Sequence, residues 1–131
     1  MALNPQYDSI GKAFVQQYYK LFDDAAHRHE LIALYNTNES LLTFEGVSVQ
    51  GSAKIMEKIS SLTFQRIAHI ITATDCQPMF DGGILINVLG QLKTDDDPAQ
   101  SFIQTFALKP GGGSFFIQHD TFRLVLHNIA T

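Results

Sequence analysis

The stretch Ile84-Leu85-Ile86-Asn87-Val88-Leu89 carries apolar side chains at both odd and even positions. Successive side chains of a β-strand point to opposite faces of the sheet, so a strand of this kind is predicted to be covered on both faces. Helices of the same chain can cover one of these faces. We therefore expect the other face to meet a second copy of the chain, which predicts a homodimer formed through the sheet.

Further strand-like runs accompany this stretch, which itself extends over 84–93. They lie at 67–77, 101–109 and 115–127. Segments rich in glycine, proline or aspartate separate the runs and predict turns; they lie at 78–83, 94–98 and 110–114. Because short connections between long strands require antiparallel pairing, the C-terminal half is predicted to be an antiparallel meander.

The N-terminal half instead shows helical spacing. A second, short helix is predicted over 27–35, and a third helix is predicted to begin with Ser52 as its N-cap. Between these two helices, residues 41–50 predict a short hairpin. The first helix is predicted to begin at Asn4-Pro5 and to carry an apolar stripe of Ile10, Phe14, Tyr18, Leu21 and Phe22.

Helices first and strands last predict an α+β fold, with the N-terminal helices packed on one face of a strongly curved antiparallel sheet. Long strands twist, and helices against the concave face of such a sheet can enclose an apolar cavity. The chain has 131 residues without a linker or repeat, so a single domain over residues 1–131 is expected.

Composition and charge exclude several classes of function. Hydrophobic residues make up 45% of the chain and charged residues 17%, which is typical of a packed core. The formal net charge of −4 argues against a nucleic-acid partner and favours a protein partner with a basic surface. The single cysteine, Cys76, and the dispersed histidines show no metal-ligand spacing, so we expect no metal or cofactor. No apolar run is long enough to span a membrane, and no signal peptide is expected.

Six stretches in a fixed order carry a resemblance to a known family. The chain resembles the nuclear transport factor 2 family along nearly its whole length. The stretches are Ile10-Gly11, Tyr18-Tyr-Lys-Leu-Phe-Asp23, Leu42-Thr-Phe-Glu-Gly46, Ile59-Ser-Ser-Leu-Thr-Phe-Gln65, Gly90-Gln-Leu-Lys-Thr-Asp-Asp-Asp-Pro98 and Phe122-Arg-Leu-Val-Leu-His-Asn128.

This resemblance implies a cone-shaped, homodimeric adaptor that is not an enzyme. It implies binding to Ran in its GDP form, contact with Phe-x-Phe-Gly repeats of nucleoporins, and transport of Ran into the nucleus. The cytoplasm, the nucleus and the nuclear pore in the envelope are the compartments that it implies. In this family an aromatic side chain of Ran enters the cavity, and acidic residues at the rim pair with basic residues of Ran.

The resemblance also assigns site residues. The rim acids that match the family are Glu45, Asp95 and Asp97. The matching positions near the cavity mouth are Phe44, His69 and Asp23. Leu62, Ile67 and Phe122 are expected to line the cavity, and Tyr7 is expected to receive nucleoporin phenylalanines.

Several positions depart from the family. Tyr7 and Phe44 stand where relatives have tryptophan, and both remain aromatic. Gln100, Thr105 and Thr121 replace methionines that line the cavity or the dimer interface, which predicts a more polar cavity.

Alternative interpretations of the same residues stay open at this point. The acidic segment 95–97 also fits a simple polar hairpin loop, and a lone histidine such as His69 is usually a hydrogen-bonded core residue. An isomerase or dehydratase would need a cavity carboxylate as a base and a second hydrogen-bond donor. Asp75 and His69 share strand parity, and Asp23 can approach them from a helix, but no tyrosine lies on a strand. A subunit of a messenger-RNA export heterodimer is the third possibility.

Overall fold

The computed structural model describes residues 3–126. Within these residues the chain forms two α-helices, two 3-10 helices and six strands. The helices are α1 (Tyr7–Asp23), a 3-10 helix (Arg28–Leu34), α2 (Ser52–Ser60) and a 3-10 turn (Phe80–Gly82). The strands are β1 (Leu41–Phe44), β2 (Val47–Gln50), β3 (Ile67–Pro78), β4 (Ile84–Thr94), β5 (Gln100–Gly111) and β6 (Ser114–Leu124).

The six strands form one curved, unclosed sheet in the order β2-β1-β6-β5-β4-β3. Strands β3 to β6 pair antiparallel as predicted, and so do β1 and β2. The expectation of a wholly antiparallel sheet is wrong at one place, because β1 pairs with β6 in parallel. A long crossover, not a tight turn, separates these two strands along the chain, so no short connection forces them to run in opposite directions.

The predicted helix starts need correction in detail. Helix α1 begins at Tyr7, and the Asn4 side chain accepts the Gln6 N–H (2.8 Å) one turn earlier. Ser52 does not cap α2, because the N-cap is Gly51 at φ 89°. A Cβ at Gly51 would lie 2.7 Å from the Thr37 carbonyl oxygen. Both this close approach and the positive φ require glycine at this position. The predicted last strand ends early, at Leu124, and its predicted end at 127 lies outside the described residues.

The core lies between α1 and the inner face of the sheet. Tyr18 and Tyr19 of α1 are buried against Phe106 and Phe102 of β5, and the buried Phe22 packs on His69 of β3. Burying each such side chain stabilises the fold by about 1.5–3 kcal/mol. These contacts hold α1 along β3, so the helix and the curved sheet together form the walls of a cavity.

A β-bulge in β3 changes which side chains face inward. The register with β4 shifts between Ile71 and Ala73, so Thr72 is an extra residue on β3. His69 therefore faces the interior, whereas Asp75 is exposed on the outer face. The prediction that these two residues share a face is wrong, because one inserted residue inverts the alternation.

The outer face of the sheet carries exposed apolar side chains. Ile70 is 64% exposed, Leu89 44% and Ile103 48%. Thr105 and Thr121 pair across this same face, and Thr105 donates a hydrogen bond to Asn87 (2.9 Å). The homodimer stays a prediction, and this is the face through which it would form. Within residues 3–126, the helices are too short or too polar to cross a membrane.

Candidate functional site

A cavity of about 280 Å³ opens between α1, α2 and the inner face of the sheet. Six aromatic or imidazole rings lie in its wall. They are Tyr18, Phe22, Phe44, Phe64, His69 and Phe122. Leu62 and Ile67 also line it, so the three residues assigned to the cavity from the sequence lie together there. Gln100 lines the same cavity, whereas Thr105 and Thr121 belong to the outer face.

The aromatic rings form two walls. On one side, Phe44 stacks on Phe122 with centroids 4.7 Å apart and an interplanar angle of 4°. On the other side, Phe22 stacks on Phe64 with centroids 6.3 Å apart. The Lys58 ammonium lies 5.5 Å from the Phe44 ring centroid, and the Arg28 guanidinium carbon 5.0 Å from that of Phe64. An aromatic group that entered the cavity would therefore meet a wall built mainly of aromatic side chains.

The three predicted rim acids occupy different positions. Asp97 lines the cavity and is exposed. Glu45 lies in the β1–β2 turn at φ 50°, where its carboxylate accepts the N–H of the cavity-lining Leu124 (2.6 Å). Asp95, at φ 49°, accepts the N–H groups of Gln65 and Arg66 and ties the β4–β5 loop to the segment before β3. Asp97 and Glu45 therefore flank the cavity, while Asp95 shapes the loop that presents Asp97.

Asp23 and His69 form a hydrogen-bonded pair at the cavity wall. The Asp23 carboxylate accepts the His69 backbone N–H (2.8 Å) and lies 2.5 Å from its Nδ1. The imidazole also packs on Tyr19, with centroids 4.7 Å apart. Because Nδ1 faces Asp23, the other ring nitrogen points away from the carboxylate. The pair gives the cavity wall one oriented polar group.

Tyr7 lies apart from this site. It is the first residue of α1, eleven positions before the cavity-lining Tyr18, which is about 16 Å along a helix. Its side chain is half-buried. The nucleoporin contact assigned to Tyr7 therefore concerns a second surface.

A buried polar cluster beneath the cavity is absent from the predicted site residues. Asp120 is 1% exposed and accepts hydrogen bonds from Gln104 Nε2 (2.8 Å) and the Tyr35 hydroxyl (2.8 Å). Tyr19 donates to Gln104 Oε1 (2.6 Å), and the Tyr18 hydroxyl lies 3.3 Å from that of Tyr35. The alternation of Asp120 with the apolar Phe122 and Leu124 was the signal that an acid faces the interior.

Burial and hydrogen bonding set the ionisation of this cluster. Burial raises the pKa of Asp120 from 3.8 to about 6, although the hydrogen bonds from Gln104 and Tyr35 oppose the shift. Burial also raises the pKa of Tyr18 and Tyr35 well above their ordinary value, so both hydroxyls keep their protons at neutral pH. Within residues 3–126, no group of three or more histidine, cysteine, aspartate or glutamate side chains could hold a metal ion.

Comparisons with known proteins point to one family and to the same fold. The model of the nuclear transport factor 2 (NTF2) domain matches residues 10–124. A Caenorhabditis elegans protein named "Probable nuclear transport factor 2" is 47% identical over 98% of this chain and 99% of its own length. A solved structure of nuclear transport factor 2 from Cryptosporidium parvum is 45% identical, covers 95% of this chain and 98% of its own, and superposes with a TM-score of 0.89.

A further solved structure shares the fold alone. It is a Novosphingobium aromaticivorans protein named "Putative Scytalone Dehydratase", 12% identical over 95% of this chain and 89% of its own, with a TM-score of 0.73. At that identity the likeness carries no statement about activity.

Proposed function

The chain belongs to the nuclear transport factor 2 domain family, and from that membership we propose that it is a nuclear transport adaptor that binds GDP-bound Ran. In this proposal an aromatic side chain of Ran enters the cavity, and acids at the rim contact basic residues of Ran. The protein acts by binding and not by catalysis, in keeping with relatives named as transport factors.

The observation that supports this proposal is the aromatic cavity with carboxylates beside its mouth. An inserted ring would pack between the Phe44–Phe122 and Phe22–Phe64 walls. A buried aromatic anchor is the kind of contact that dominates the affinity of protein interfaces. The cavity volume of about 280 Å³ leaves room for one aromatic side chain.

The charges at the rim would select the partner. Asp97 is exposed and lines the cavity. Glu45 is half-buried and is bound to the N–H of the cavity-lining Leu124. Close charge pairs across an interface are coupled by about 1.5–7 kcal/mol, whereas fully exposed pairs contribute less than about 1 kcal/mol. Glu45, which is less exposed, is therefore expected to contribute more than Asp97. We assign Asp95 the indirect role of holding the loop, and Asp23 the indirect role of holding the cavity-lining His69.

The remaining partners belong to other surfaces. A homodimer would bury the exposed Ile70, Leu89 and Ile103 of the outer face. Phe-x-Phe-Gly repeats of nucleoporins would contact the region of Tyr7, distant from the cavity, so that Ran and the pore can be bound together. Such a carrier would move between cytoplasm and nucleus through the pores of the envelope.

A pull-down with Ran loaded with GDP or with a GTP analogue tests the proposal. We expect capture of the GDP form, loss of capture with Phe44→Ala, and normal capture with Phe80→Ala as the matched control. Phe80 is 73% exposed and lies outside the cavity lining, so Phe80→Ala removes the same aromatic ring without changing the cavity. Equal capture of both nucleotide forms, or of neither, would reject the proposed function.

A further inference from the structure

The polar cluster beneath the cavity has no part in the contacts proposed above. Two of its members, Tyr18 and Gln104, line the cavity, whereas Asp120 lies behind them and is 1% exposed. Every buried side-chain nitrogen and oxygen among the described residues has a hydrogen-bond partner. The orientation of each polar group in the cluster is therefore tied to that of its neighbours.

The Asp120 carboxylate sets those orientations. As an ionised group it accepts hydrogen bonds and donates none, so Gln104 must turn its Nε2 toward it. The Gln104 carbonyl oxygen then faces Tyr19, whose hydroxyl donates to it. Tyr35 must likewise donate to the second carboxylate oxygen. One buried charge thus fixes the amide and the hydroxyls at the bottom of the cavity.

A proton on Asp120 reverses this arrangement. On the oxygen that faces Gln104, the new O–H would meet an N–H donor, so the amide must turn over and present its oxygen. On the oxygen that faces Tyr35, the new donor would force that hydroxyl toward Tyr18, 3.3 Å away. In both cases a polar group that lines the cavity changes its hydrogen-bonding direction.

We propose that Asp120 is a positioning residue of the binding cavity, which as a carboxylate orients Gln104 and Tyr18 for the incoming aromatic group and on protonation releases them into a weaker-binding arrangement. The inference rests on the proposed function for its binding consequence. An aromatic ring has a positive edge and a negative face, so a buried negative charge below the cavity favours a ring that enters edge first. Loss of the charge removes this preference.

The effect of Asp120 on binding must be distinguished from the effects of other titratable groups near the cluster. Tyr18 and Tyr19 face it from α1, and Tyr35 faces it from the end of the 3-10 helix. His69, which is paired with Asp23, packs on Tyr19, and the centroids of the two rings are 4.7 Å apart. At the mouth lie the carboxyl groups of Asp97 and Glu45. Replacing Asp120 alone leaves all of these groups in place.

The test therefore compares the pH profile of the wild type with that of Asp120→Asn, which carries an uncharged amide of the same shape. Affinity for GDP-loaded Ran would be measured from about pH 7.5 to pH 5.5. We expect the wild type to lose affinity several-fold as the pH falls. Asp120→Asn should bind at both pH values about as weakly as the wild type does at pH 5.5. An Asp120→Asn profile that parallels the wild-type profile would overturn the assignment.

A second measurement needs no partner. In ¹⁵N-labelled free protein, the side-chain NH₂ resonances of Gln104 should titrate with a midpoint near 6, the pKa that burial gives Asp120. Tyr35→Phe removes one hydrogen bond to the carboxylate and should move that midpoint to higher pH. Resonances that stay constant in the wild type, or a midpoint unmoved by Tyr35→Phe, would contradict the positioning role. If the resonances titrate but Ran does not bind, the proposed function fails and the role of Asp120 in orienting Gln104 stands.

Discussion

Asp120→Asn should also reveal what a buried carboxylate costs the fold. Burial raises the pKa of Asp120 from 3.8 to about 6, so the folded chain binds this proton more tightly than the unfolded chain. The contribution of the group to stability is therefore full below about pH 4 and is lost as the pH rises through about 6. A shift of about two pKa units corresponds to about 3 kcal/mol of lost stability at neutral pH.

Roughly 2 kcal/mol of that loss should fall between about pH 4.5 and pH 7.5. Asparagine does not ionise, so the variant lacks this term while it keeps an acceptor for Tyr35. Urea unfolding of both proteins at one protein concentration measures the effect. Relative to the wild type, Asp120→Asn should therefore be about 2 kcal/mol more stable at pH 7.5 than at pH 4.5, which means a free energy of unfolding that is higher by this amount.

The exposed Asp75 supplies the matched control, because Asp75→Asn makes the same chemical change on the outer face. Because Asp75 is exposed, this control shows what the substitution does to stability without the effect of burial. If Asp120→Asn shows the same difference from the wild type at both pH values, Asp120 does not change protonation in this range. The inference from burial to a raised pKa would then be wrong.

Glu45→Gln keeps an acceptor for the Leu124 N–H, whereas Glu45→Lys leaves that N–H unpaired, so urea unfolding should show a cost of about 1–3 kcal/mol for the lysine variant alone. In the pull-down, Glu45→Lys should also lose GDP-loaded Ran, and normal capture would contradict a rim role. Gly11→Ala would place a Cβ 2.5 Å from the Cys76 sulfur and should destabilise the fold by about 1–3 kcal/mol; adding Cys76→Ala should restore most of this, and an unchanged double variant would refute the clash. Ile103→Asp on the outer face should convert a dimer to a monomer in light scattering, and a wild type that is already monomeric would exclude the homodimer.

Much of the fold follows from local sequence patterns. The apolar stripe of α1 and the turn-forming segments between the long strands gave the order of elements, because helical and strand spacing differ and short turns force antiparallel neighbours. The parallel pairing of β1 with β6 could not be predicted in this way. It joins strands about 75 residues apart, and no local pattern encodes which distant edge a short strand will choose.

The candidate site, too, could be predicted only in part from the sequence. Leu62, Ile67 and Phe122, which the resemblance assigns to the cavity, line one cavity, whereas the contact between Asp23 and His69 was not predicted. Asp75 does not join them, because the bulge at Thr72 turns it outward and a single inserted residue leaves no clear sequence signal.

Asp120 was missed for another reason. An acid on the interior face of a strand conflicts with burial unless partners are found. Those partners, Tyr35 and Gln104, come from distant parts of the chain.

The Asp23 carboxylate has a consequence beyond the cavity. Strand β3 is at the open margin of the sheet, and the His69 N–H that Asp23 binds lies along that margin. An N–H group left unpaired at a sheet edge can pair with a strand of another molecule, and the Asp23 carboxylate prevents this by accepting the His69 N–H. Loss of Asp23 should therefore show first as a tendency to aggregate at high concentration, which light scattering during storage would detect before any change in secondary structure.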